Sequence, residues 1–86
     1  VARDSAAAIV ILLKAAGGQD YDGRPASLQQ VRARLRAILA VDPGRSFLIR
    51  PEPGVPVQRA VDMFQTVREA GAYAVSFSPP REGGGR

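Results

Sequence analysis

Cysteine and histidine are both missing from this chain of 86 residues. Without cysteine there is no disulfide framework and no thiolate metal site, and the redox compartment stays open. Without histidine the commonest general base and the commonest metal ligand at neutral pH are gone, which weighs against an enzyme. Ser5, Ser27, Ser46, Ser76 and Ser78 therefore have no imidazole to activate them. Aromatics are scarce: two tyrosines, three phenylalanines and no tryptophan. Long apolar runs are lacking too. The longest, Ala6 to Leu13, is eight residues ended by Lys14, against the roughly 18–20 that span a bilayer, and it is too short and wrongly flanked for a signal peptide. Gly17-Gly18 and Gly83-Gly84-Gly85 have neither the spacing nor the context of a phosphate loop. Asp20 and Asp22 could pair as carboxylates, but beside a turn such residues more often cap backbone amides. No catalytic residue, metal-ligand set or cofactor is expected.

What remains describes one small domain. A chain of this length buries roughly 60–65% of its unfolded surface, so stability is expected to be modest without a partner. Hydrophobic residues at 45% and charged residues at 23% are ordinary for a globular chain. The net charge is +4, and eleven of the twelve basic residues are arginine. A basic chain invites a polyanion partner, whether nucleic acid, anionic membrane surface or acidic wall polymer. These arginines are spread along the chain, so simple solvation is the reading to set beside it.

The local patterns form a regular succession. Ile9 to Leu13 is β-branched and apolar, a buried strand. Gly17-Gly18 turns the chain and Gln19 to Asp22 returns as a short second strand, closing a hairpin. After the Asp22-Gly23 turn, Ser27-Leu28-Gln29-Gln30 is a capping box opening a helix striped by Leu28, Val31, Leu35, Ile38 and Leu39. Asp42-Pro43-Gly44 stops it. Phe47 to Ile49 is the next strand. A corner with Pro51, Pro53 and Pro56 follows, with Pro56 suited to the first helical position. The second helix places Val57, Ala60, Val61, Phe64 and Val67 on one face, with Gln58, Asp62, Gln65 and Glu69 opposite, and Gly71 ends it. Tyr73, Val75 and Phe77 alternate with Ala74 and Ser76 as a last strand. The expected fold is α+β: a small two-layer sandwich, β-β-α-β-α-β, a mixed sheet with both helices on one face and a right-handed parallel crossover around the second helix.

The first strand poses a difficulty for two layers. Ile9, Ile11 and Leu13 face one side, Val10 and Leu12 the other, and one set would meet water. A homodimer burying Val10 and Leu12 is the simplest remedy. Phe47, Phe64, Tyr73 and Phe77 read mostly as core, and Tyr21 as the exposed aromatic. That pattern favours a protein-docking domain over a small basic nucleic-acid-binding α/β domain, which would interleave exposed aromatics with its basic face.

The run "YDGRPASLQQVRARLRAILAVDPGRSFLIRPEPGVPVQRAVDMFQTVREAGAYAVSFS" resembles the periplasmic domain of the ExbD/TolR family of proton-driven energy-transducing proteins. The resemblance rests on Asp22-Gly23, Val31 and Leu35 four apart, Leu48-Ile49-Arg50, Val55-Pro56, Val61 and Phe64, Ala70-Gly71 and Val75, and spans about residues 9–78. It implies a domain of a bacterial inner-membrane protein, working beside an ExbB/TolQ-like channel protein, conveying force to a TonB- or TolA-like partner, and for TolR-type members engaging the cell wall. Three departures stand out. Pro51-Glu52 replaces an Ala-Asp pair, Val57 stands where a tyrosine often follows Val-Pro, and the membrane helix with its proton-carrying aspartate is not in this sequence.

From these readings the candidate partner-binding residues are Glu52, Val55 and Pro56 at the corner and Tyr73, Val75 and Phe77 on the last strand. That strand or the hairpin strand is the expected edge for an added peptide strand. Arg32 and Arg36, one turn apart on one flank of the first helix, and Arg34 on the other flank, are candidate contacts for an anion or the cell wall. The expected organisation is a flexible lead over residues 1–8 with a transmembrane segment upstream, a domain over 9–78, and a disordered tail over 79–86. A chain opening on Val1 is expected to be a fragment of a longer protein.

Overall fold

The computed structural model describes residues 8–78. The expected lead over 1–8, apart from Ala8, and the tail over 79–86 lie outside them. Five strands and two helices follow in the order β1 (Ile9–Leu13), β2 (Gln19–Tyr21), β3 (Arg24–Ala26), α1 (Leu28–Val41), β4 (Ser46–Pro51), α2 (Val57–Glu69) and β5 (Ala74–Phe77). The sheet order is β3-β2-β1-β4-β5. β1 runs antiparallel to β2 and parallel to β4, and β5 is parallel to β4, as the crossover expectation requires.

The α+β sandwich stands, with one strand more than the sequence patterns suggested. Asp22 (φ 54) and Gly23 (φ 89) are both left-handed, the two-residue loop that matches the twist of a hairpin. It therefore joins two paired strands, β2 and β3, with Tyr21 opposite Arg24. Pro25 in a three-residue segment hides this strand from a propensity reading, because proline is tolerated only at an edge.

Both helices begin and end for local reasons. The Ser27 hydroxyl accepts from the Gln30 amide at 3.1 Å and the Gln30 side chain accepts from the Ser27 amide at 2.8 Å, the reciprocal box expected. Gly71 (φ 115) ends α2 and the Ala72 amide reaches back to the Val67 carbonyl. Pro56 stands one residue before α2, as its N-cap, not inside its first turn.

Strand register decides which side chains are buried. Ile9, Ile11 and Leu13 lie beside Phe47 and Ile49 on the helix-covered face, and with Val31, Leu35, Ala60, Met63 and Val67 they form one core. The stripe of α2 is rotated from the expected one. Met63 is buried with Ala60 and Val67, Val61 and Phe64 are half-buried, and Val57 is 79% exposed. The other sheet face carries Val10, Leu12 and Leu48, all half-buried.

Leu35 is fully enclosed, so Leu35→Ala is expected to cost about 2–5 kcal/mol. Val57→Ala should stay within about 0.5 kcal/mol. Urea unfolding of the two variants checks the contrast.

Candidate functional site

The corner after β4 is fastened to the turn between β1 and β2. The Glu52 amide donates to the Leu13 carbonyl at 2.9 Å, and its carboxylate accepts from the Ala15 amide at 2.8 Å. From α2, the Arg59 guanidinium donates to the carbonyls of Lys14 at 3.0 Å and Gly18 at 2.9 Å. Glu52 is thus engaged inside the fold. Val55 packs against the core, and Pro56 is exposed. The prolines fix the backbone between these anchors, so the corner acts as a clamp on α2.

β5 is an edge strand and β2 is not. β3 pairs along the outer side of β2, so the hairpin strand is removed as a candidate edge. Ser78 donates its amide to Ile49 at 2.8 Å. Because main-chain groups of alternate residues point to opposite sides of a strand, those of Val75 and Phe77 point away from β4. Their side chains share the helix-covered face. The Phe77 ring stacks on Phe64 with centroids 5.0 Å apart and planes 13° from parallel, and the Arg68 guanidinium lies 6.0 Å from the Phe64 centroid.

The aromatics are distributed otherwise than expected. Tyr21 is 7% exposed, because its position opposite Ile11 turns it under α1. Tyr73 is 68% and Phe77 46% exposed, because no strand flanks β5 among the described residues. The alternation of Tyr21 with Asp20 and Asp22 carried the signal, masked by the surrounding charge.

The three helix arginines do not converge. Arg32 and Arg36 line a groove of about 330 Å³ between the helices with Thr66, Glu69 and Ala70. Arg34 lies on the opposite flank, 5.9 Å from the Tyr21 ring centroid, in a cavity shared with Asp22 and Arg24. Val10 and Leu12 line neither and lie on the open sheet face. Among the described residues no group of three His, Cys, Asp or Glu side chains is placed to hold a metal, and no helix is long and apolar enough to cross a membrane.

A family model described as Biopolymer transport protein ExbD/TolR matches residues 2–80. No match is found among curated proteins.

Burial, reinforced by the Asp22 carboxylate, raises the Tyr21 phenol above its ordinary value of 10.0, and Arg34 and Arg45 oppose that rise. The folded state therefore disfavours the phenolate. Its stabilising effect is complete below the unfolded pKa and is lost as pH rises through the folded one. Urea unfolding between about pH 9 and about pH 11 should show stability falling with pH, with a shallower fall in Tyr21→Phe.

Proposed function

The chain belongs to the ExbD/TolR family of biopolymer transport proteins, and on that premise we propose that it is the periplasmic coupling domain of an inner-membrane, proton-driven motor subunit. It works beside an ExbB/TolQ-like channel protein and relays force to a TonB- or TolA-like partner. Such a domain needs a rigid fold and docking edges; it needs no cofactor and performs no catalytic step.

The β5 edge is the observation that carries this reading. Main-chain groups of Val75 and Phe77 face outward, beside the apolar Phe64–Phe77 stack. An extended partner segment adds there as a sixth strand, its main chain giving affinity and its side chains meeting the two rings. Tyr73 extends the same border. Glu52, Val55 and Pro56 serve this edge indirectly, by holding α2 in place.

The half-buried face of Val10, Leu12 and Leu48 suits a second copy of the chain. Arg32 and Arg36, in their groove, and Arg34, on the other flank, supply separate cationic contacts for the acidic groups of the cell wall.

Two measurements test these assignments. In Val75→Pro the lost amide is one that points away from β4, so the domain should keep its circular dichroism while affinity for the periplasmic segment of the TonB- or TolA-like protein falls about tenfold or more. Unchanged affinity in calorimetry would refute the edge. For the dimer, light scattering over a concentration series should show the parent mass doubling and Leu12→Lys staying monomeric. A parent that remains monomeric throughout rules it out.

A further inference from the structure

The starts of β1, β4 and β5 meet at one pole of the molecule, since Ile9 pairs with Phe47 and Ser46 with Ala74. The end of β2 and the start of β3 join them, with Tyr21 opposite both Ile11 and Arg24. α1 also ends here, at Val41. The described chain enters β1 through Ala8 at this same pole.

Three arginines gather there. Arg24 and Arg34 border a cavity of about 460 Å³ with Tyr21 and Asp22. Both are exposed, and neither is in an ion pair among the described residues. Arg45 stands just before β4 and is held by Asp42 at 3.2 Å, with its Nε buried and without a hydrogen-bond partner. The opposing carboxylates are Asp42, neutralised by Arg45, and Asp22. Two large apolar side chains stand out from the same region. Val41 is 78% exposed, and Tyr73 lies with its hydroxyl against Gly44 in the turn before β4.

Guanidinium groups bond phosphate oxygens bidentately. A tyrosine beside them can seat its ring among acyl chains with its hydroxyl at headgroup level. We propose that this pole, through Arg24, Arg34, Val41 and Tyr73, docks on anionic phospholipid headgroups. The inference rests on the proposed membrane tether: a tether joined before Ile9 holds this pole toward the bilayer and raises its effective concentration there. The patch alone binds anionic membrane weakly and reversibly, which vesicles can measure on the untethered chain, and the tether adds to it.

Co-sedimentation of the 86-residue chain with vesicles of phosphatidylglycerol and phosphatidylethanolamine, against vesicles of phosphatidylcholine alone, tests it. Binding should favour the anionic vesicles and weaken as salt rises. Arg24→Ala and Arg34→Ala should each reduce it about fivefold, and Tyr73→Ser should reduce it further. Arg50→Ala, exposed near the far end of β4, should change it less than about twofold, as a distant charge screened by salt. Circular dichroism confirms that each variant is folded. Equal binding to both vesicle types overturns the proposal, as does a loss in Arg50→Ala matching the others. Tighter binding to a single-stranded oligonucleotide with the same arginine dependence also overturns it, by assigning the pole to nucleic acid. None of these failures touches the β5 edge, whose partner titration separately judges the family-based reading.

Discussion

A single layer of helices on a five-stranded sheet leaves one sheet face and two edges uncovered, and the character of the molecule follows from how each is treated. The covered face concentrates the core: Ile9, Ile11 and Leu13 abut Phe47 and Ile49 across the parallel β1–β4 pair. Fully burying such side chains stabilises the fold by about 1.5–3 kcal/mol each. The open face repeats the same two strands with Val10, Leu12 and Leu48, only half-buried. Apolar residues on both sides of β1 are the mark of a strand between two layers, and the described residues supply one of those layers.

The two edges are treated differently. β3 is three residues long and carries Pro25, which has no amide to offer, so pairing to its outer side is blocked. β5 has no proline, and its outward main chain belongs to Val75 and Phe77, whose side chains lead onto Phe64. Natural sheets usually blunt long apolar edges; this one blunts one edge and leaves the other fit for pairing. That asymmetry, more than any single residue, is what supports the proposed addition of a strand at β5.

Much of this was legible in the sequence where the signal is local. The Ser27–Gln30 box, the Asp42-Pro43-Gly44 stop and Gly71 each depend on neighbours a few residues away and appear as expected, whereas the last strand forms only from Ala74, leaving Tyr73 outside it and Phe77 exposed. Legibility failed where tertiary placement decides. Tyr21 reads as the exposed aromatic of a short strand until its register against Ile11 turns it inward. Val57 belongs to the apolar stripe by spacing, yet α2 is turned so that Met63 is buried and Val57 exposed. Helical spacing did separate Arg34 from Arg32 and Arg36, but its neighbours Arg24 and Tyr21 come from the β2–β3 hairpin and only the fold brings them beside it. Glu52 looks like a free acid at a corner; only the fold shows its carboxylate on the Ala15 amide.

The proline corner gains its meaning from the helix it launches. α2 underlies β4 and β5 and carries Phe64, so any drift of the helix would pull that ring from beneath Phe77. Its start is secured by Arg59 on the carbonyls of Lys14 and Gly18, and by the Glu52 bridge to the end of β1. Its end is set by Gly71, whose left-handed backbone turns the chain directly toward β5. Fixed at both ends, the platform beside the open edge would lose little freedom in the proposed strand docking, and that saving of entropy is what a rigid connector contributes to binding. Under that proposal, three prolines and one clamped glutamate influence recognition at β5 without touching what is recognised.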